Sequence, residues 1–503
     1  MFEDRLAGIP EGRFKPVRHA DSSGGFWPGS IDWEYSAETE DPAVAGILDR
    51  YGVIVDGDGS VPKSKLYSPT INPATEERLA DLPDAGEKDG DRAVQSARKG
   101  LAAWSSLDPR RRARILFDSS RLIAEKSREL AALISLDSGR PIRDLRSLEV
   151  CRSEASLFYN AGWVDKLDYV FPGQSYRPIG VVQISPSWRD PLSSAVSRLG
   201  PALACGNSVI LTPHPLAPLA SFHLAGLLAE AGIPSGVVNV VTGRDAALAI
   251  YKNPAVGARS FASRADYEAA QSSNPVGTIE AGQGGGTVSL VFDDAPIDEA
   301  VEGVVRAAFG SAPEGTWVMV QESIAEDFLR RIKRRMEGLR VGDPLDPNTE
   351  VGPLGSASLL SDVTDRLEGA AEEGCEVFQP AFGLPERGFY FRPALVSKAF
   401  PYLRVVQEGI PGPVALVMTF RVPEEGIELA SGIRGTDCAQ IWATKASRGI
   451  WAGQRLKSRK VLVNTSEGSD PSVGFGGPGP FGFGGQGGKR ALASFLDFEE
   501  KTR

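Results

Sequence analysis

The chain has 503 residues, 42% hydrophobic and 24% charged, which is enough to bury a large core and too evenly balanced for a disordered, collagen-like or coiled-coil protein. Acidic residues outnumber Lys and Arg by 65 to 55, giving a formal charge of -10 and a pI near 5.2. That balance removes the counterion-release grip on which nucleic-acid or anionic-membrane binding depends, and leaves small molecules and other proteins as partners.

Residues 1–45 are rich in Gly, Pro, Ser and acids without a period of 2 or 3.6, and read as an extended arm with Phe26, Trp27, Trp33 and Tyr35 as anchors. The opening MFEDRLAGIPEG carries acids where a secretory leader is basic and then apolar, and no eighteen-residue apolar run follows. A cytoplasmic chain without membrane spans is expected. GVIVDGDGS reads as a hairpin. Asp108-Pro109 supplies an N-cap and a first-turn proline for a helix through RRRARILFDSSRLIAEK. A second helical run, SLEVCRSEASLFYNAGWVDKL, holds Cys151 as a packing residue.

Beyond Arg177 the apolar runs IGVVQIS, SVILT and GVVNVVTG alternate with the helical segments SSAVSRLGPALACG, LASFHLAGLLAEAG and AALAIYK. Such alternation predicts βαβ units and a covered parallel sheet. A second series starts near Thr287 with TVSLVF, IDEAVEGVVRAAF, TWVMVQ and AEDFLRRIKRRMEGL, and continues through FRPALVS, PVALVMTF, AQIWAT and KVLVNT. The predicted fold class is therefore α/β, with two doubly wound domains in tandem. The basic run Arg330 to Arg335 reads as a solvated helix face, or one that pairs with an acidic arm. The Gly-rich stretch Ser469 to Arg490 follows no βαβ strand and reads as a solvent-facing connector. Cys151, Cys205, Cys375 and Cys438 form no CxxC, and with His19, His214 and His223 they give neither zinc-site spacing nor a disulfide framework. Cys205, in ALACGN, reads as packing; His214 and His223 read as ordinary residues of a surface turn and the helix after it.

An ordered series of segments resembles the aldehyde dehydrogenase superfamily: INPAT from Ile71, YNAGW ending at Trp163, PIGVV from Pro178, LGPALACGN from Leu199, AGIPSGVVNVVTG from Ala231, GDPLDPNTEVGPL from Gly342, GPV from Gly412, and Val463-Asn464. The resemblance implies a cofactor-binding-like domain (46–165 and 179–281), a catalytic-like domain (282–489) and shortened bridging elements (166–178 and 490–503), after the arm 1–45. It also assigns positions. The family's cysteine nucleophile falls on Ala312, its oxyanion-holding asparagine on Arg189 and its general base on Glu280. The lysine and glutamate that hold the adenosine ribose fall on Thr212 and Pro215, and the two phosphate-loop glycines on Ser263 and Glu268. The nicotinamide-ribose glutamate falls on Gly409, with Pro411 two residues on.

Of these only Glu280 keeps the family's residue type. Family chemistry begins with a thiolate attacking the aldehyde, and no cysteine occurs between Cys205 and Cys375. Ser311 as a substitute nucleophile has no histidine beside it. The expectation is a catalytically silent relative, similar to the cysteine-less module of the superfamily's two-module branch. It would act as a structural or regulatory subunit, without NAD(P), partnered by a homologous active aldehyde dehydrogenase or by itself. The alternative is an active NAD(P)-dependent aldehyde dehydrogenase with an atypical site. Arg189 is expected to pair with Glu280 or Asp190 and plug the tunnel, and the stretch Leu167 to Arg177 is too short for the family's bridging hairpin.

Overall fold

The computed structural model describes residues 38–262, 264–271, 278–282, 286–310, 315–433, 436–466, 468, 470–476, 482–483 and 485–499. Strands β1 (Val53–Val55) and β2 (Asp58–Ser60) form the expected hairpin. Asp56 and Gly57 at its turn both have positive φ, 61° and 89°, as a two-residue turn matched to strand twist needs. A second hairpin joins β3 (Tyr67–Ile71) to β4 (Arg78–Pro83). The helix Pro109–Glu125 starts as its sequence dictates: the Asp108 carboxylate accepts from the amides of Arg110 and Arg111 at 3.1 and 3.3 Å.

After β5 (Tyr176–Pro178), the first βαβ series supplies β6 (Val181–Ser185), β7 (Ser208–Leu211), β8 (Val238–Val240), β9 (Val256–Phe261) and β10 (Thr278–Gly282). The second supplies β11 (Gly286–Val291), β12 (Thr316–Gln321), β13 (Glu376–Phe378), β14 (Ala394–Ser397), β15 (Val414–Phe420), β16 (Thr436–Trp442) and β17 (Lys460–Val463). The C-terminal region adds β18 (Phe475–Gly476), β19 (Gly482–Phe483), β20 (Gly485–Gln486) and β21 (Leu496–Phe498).

One eight-stranded sheet runs β19-β10-β9-β6-β7-β8-β1-β2 and one seven-stranded sheet runs β13-β14-β15-β12-β11-β16-β17. Each is parallel at its centre and antiparallel at an edge. Every residue of β6 and β7 is buried, because helices cover both faces and leave no room for alternation. The Trp104 indole, fully buried in the helix Glu87–Ser105, donates to the Leu203 carbonyl at 2.9 Å and ties that helix to the helix Pro191–Ala204.

Several local expectations change. The Gly-rich stretch is more than a connector, since its β19 adds to the edge of the first sheet through Ala281–Phe483 and Gly282–Gly482 register. Cys151 is exposed on the helix Val150–Ala161, with its thiol against the Arg146 carbonyl, so it does not serve core packing. The basic helix face finds its acids within its own domain: Arg330 and Arg331 pair with Asp327, Arg331 also with Asp298 at 2.6 Å, and Arg335 with Glu302 at 2.7 Å. The stretch from Leu167 makes a short helix, Leu167–Val170, and the single strand β5, which pairs with β21. The rings of Phe171, Tyr176 and Phe498 pack over that ribbon.

Candidate active site

The strand order of the first sheet reverses between β6 and β9, so their C-terminal ends form the crevice where doubly wound sheets place ligands. Here that crevice is lined by side chains bonded to one another. The Gln183 amide donates to Ser185 Oγ at 2.8 Å and Thr212 Oγ1 at 2.7 Å, Ser185 and Thr212 lie 2.9 Å apart, and Ser185 meets the Tyr251 hydroxyl at 3.1 Å. All four are buried. Thr212 is thus part of a closed polar network, whereas Pro215 is exposed beyond it. Between them His214 is drawn inward instead of lying on a surface turn. Burial, and then the nearby Arg189 guanidinium, push its imidazole down to about 4, so it is neutral at physiological pH.

Arg189 lies in the turn before the helix Pro191–Ala204, half-buried, with its guanidinium 4.7 Å above the Trp188 ring. Asp190 is paired with Arg140, whose Nη1 reaches Asp190 Oδ1 at 3.1 Å, Glu149 Oε2 at 3.0 Å and the Arg189 carbonyl at 2.5 Å. Glu149 Oε1 meanwhile accepts from the amides of Leu192 and Ser193 at 3.1 and 3.0 Å, at the start of that helix. Burial and then the Asp190 carboxylate push the Glu149 carboxyl up. Desolvation opposes ionisation at Asp190 too, but Arg140 and then Arg152 outweigh it and hold that carboxyl low. Sequence reasoning missed this lattice. Its signal was a charged Glu149 on the helix face that continues inward through Ser153, Ser156 and Asn160.

On the second sheet the decisive side chain is also one that motif reading passed over. Trp317 of β12 is 2% exposed, and its indole donates to the Val406 carbonyl at 2.9 Å. The ring lies against three glycines. A Cβ at Gly286 would stand 2.3 Å from it, one at Gly409 2.6 Å and one at Gly315 3.2 Å. Gly409 also has φ +72°. The Trp317 ring and the backbone conformation thus both favour glycine at this position, where the family resemblance implies a glutamate. Pro411 is half-buried in the following turn.

The remaining positions are only partly described. Glu280 lies on β10 opposite Ser260 of β9, and its side chain is outside the described residues, as are Ser263, Ser311 and Ala312. The expected Arg189–Glu280 pair therefore falls outside them too. Glu268 is exposed on the helix Arg264–Gln271. Cys205 is buried with its thiol against the Leu492 carbonyl, and burial pushes that thiol far above its usual range. Among the described residues no cluster of three His, Cys, Asp or Glu side chains could hold a metal ion, and no helix is long and apolar enough to cross a membrane.

The aldehyde dehydrogenase family profile matches residues 61–500. The chain belongs to the aldehyde dehydrogenase family. Retinal dehydrogenase 2 of Mus musculus is 28% identical over 474 residues, covering 90% of this chain and 91% of that protein. The crystal structure of a putative aldehyde dehydrogenase from Burkholderia cenocepacia is 31% identical with a TM-score of 0.83, covering 90% of this chain and 97% of its own. That of an NAD-dependent aldehyde dehydrogenase from Sinorhizobium meliloti is 27% identical with a TM-score of 0.85, covering 92% and 96%. The α/β architecture read from the two strand series is that of an aldehyde dehydrogenase, with two large sheets and small additional ones.

Proposed function

We propose that this aldehyde dehydrogenase family member is catalytically silent and acts as a structural or regulatory subunit, with a homologous active aldehyde dehydrogenase or a second copy as its partner. The observation that carries this reading is the lack of any cysteine from 206 to 374, the span in which the nucleophile's segment before β12 lies. A serine hydroxyl there is far less acidic than a thiol, and without a thiolate neither the covalent adduct nor the oxyanion forms.

The described residues also fit a dinucleotide poorly. Thr212 offers no ammonium to a ribose and is engaged with Gln183 and Ser185. Gly409 offers no carboxylate, and Trp317 fills the space beside it. A second reading, an NAD(P)-dependent aldehyde dehydrogenase with an atypical site, is favoured by the names of the similar proteins, a retinal dehydrogenase, a putative aldehyde dehydrogenase and an NAD-dependent aldehyde dehydrogenase.

Turnover separates the two. Purified chain incubated with NAD⁺ or NADP⁺ and a panel of aliphatic and aromatic aldehydes is expected to form no reduced cofactor above the protein-free blank, and the Ala312→Cys variant is expected to behave the same way. Steady cofactor reduction by the unmodified chain would establish the second reading.

A further inference from the structure

Two of the chain's three histidines, His214 and His223, bracket one stretch, the turn after β7 and the first turns of the helix Leu219–Glu230. Pro213, Pro215 and Pro218 remove three amides from that turn, and ionisable side chains receive two of those that remain. The Leu216 amide donates to His214 Nδ1 at 3.2 Å, and the Leu219 amide to Asp137 Oδ2 at 2.8 Å. Asp137 Oδ1 accepts from the Thr70 hydroxyl at 2.9 Å. One turn into the helix, His223 Nε2 lies 3.1 Å from the Tyr51 hydroxyl, whose oxygen accepts from the Leu48 amide at 3.2 Å. Tyr51 is itself buried.

Both imidazoles act through a lone pair. His214 Nδ1 accepts an amide proton, so a proton of its own breaks that bond. The Tyr51 oxygen is taken by Leu48 and its hydrogen is left for His223 Nε2, so a proton on Nε2 strands a buried hydroxyl hydrogen. The Arg189 guanidinium opposes protonation of His214. At His223, Glu129 Oε1 of the helix Ser127–Ser138 stands 3.8 Å from Nδ1, while Glu129 Oε2 is held by Lys126 at 3.0 Å. On the neighbouring helices Arg121 is engaged with Glu125 at 2.5 Å and Arg198 with the Ser194 carbonyl at 3.0 Å. Burial outweighs the pull of Glu129 and lowers the His223 imidazole, as it does that of His214. Both therefore bind a proton more readily when the stretch is released, and its docked form weakens as pH falls below about 6.5. Asp137 has the opposite sign: burial pushes its carboxyl up to about 7, so its protonation favours the docked form. In either state it can accept the Leu219 amide, and it serves as the fixed point.

We propose that residues 212–223 form an acid-opened latch on the crevice at the ends of β6 and β7, shut by the lone pairs of two imidazoles and pinned at Asp137. Thr212, the first residue of the latch, is bonded to Gln183 and Ser185, so release of the stretch loosens the polar closure. The latch does not rest on the silence of the catalytic positions, because an inactive subunit and an active enzyme could each carry it.

The test is hydrogen exchange of the purified full-length chain, read by mass spectrometry at about pH 7.5 and about pH 4.5 and corrected for the intrinsic pH dependence of exchange. The buried strand β6 is the internal reference for global opening. On acidification the peptide 212–223 is expected to lose at least about tenfold in protection relative to β6. His214→Asn and His223→Gln keep an acceptor toward Leu216 and Tyr51 and do not titrate, so the double variant should lose less than about threefold. An unchanged ratio in the parent, an equal loss at β6, or the full acid loss in the double variant would overturn the latch. The parent also decides the matter without the variants: by NMR, two of its three imidazoles should titrate below the ordinary histidine value as the peptide opens, and ordinary titration of all three would overturn it too. Reduced-cofactor formation has no bearing on these readouts, so failure here and failure of the silent-subunit reading are separate results.

Discussion

At the ends of β6 and β7 four polar side chains close on one another, whereas at the start of β12 a single indole fills the space above three glycines. The first closure is made of hydrogen bonds that can be removed one at a time, each replaceable by water or by a ligand atom at modest cost. The second is steric: with a Cβ at Gly409 standing 2.6 Å from the ring, a side chain there requires Trp317 or the backbone to shift. On the silent-subunit reading, these two closures depart from the family's chemistry by different physical routes, and they should answer substitution differently.

The largest effect is expected at neither face but in the ion lattice beside them. Glu149→Ala strips the buried Arg140 of one carboxylate and leaves two helix amides unpaired, which should cost about 3–5 kcal/mol in urea unfolding. A loss no larger than that of an exposed glutamate would show that the lattice does not hold the turn before Pro191. Next comes Gly409→Glu, which restores the family's residue type against a fixed ring and at φ +72°. It should cost about 2–4 kcal/mol, with part of that recovered when Trp317→Ala is added. Strict additivity of the two changes would remove the steric account.

Thr212→Val, nearly equal in shape, removes one hydroxyl from the polar closure and should cost about 1–2 kcal/mol in thermal unfolding. The smallest effect at neutral pH is His214→Asn, since a short side-chain acceptor can still serve the Leu216 amide that now donates to His214 Nδ1 at 3.2 Å. Its consequence appears on acidification. The folded-state pKa of His214 is lowered from 6.5 to about 4, so the unfolded chain binds the extra proton first, and this contribution to stability is lost as pH falls from about 6.5 to 4. The variant should show a shallower loss over that window in unfolding midpoints taken at successive pH values.

Much of the fold was legible because both sheets are buried on two sides and their strands read as unbroken Val and Ile runs between helical segments. The catalytic and cofactor positions were legible only through neighbouring motifs such as PIGVV and LGPALACGN, which locate a position without saying what surrounds it. Trp317 was read as one more apolar strand residue. That its ring faces Gly286 and Gly409 depends on sheet register and on a turn nearly a hundred residues away. Cys151 was misread for a local reason: the helical period puts Val150 and Ser153 inward and leaves position 151 outside.

The central proposal, that this chain takes up no dinucleotide, is tested most directly by isothermal titration of the purified chain with NAD⁺ and with NADP⁺. The account predicts no saturable heat for either nucleotide up to about 1 mM, weaker than about 4 kcal/mol of binding free energy. Saturable binding of either one with a micromolar dissociation constant would contradict it.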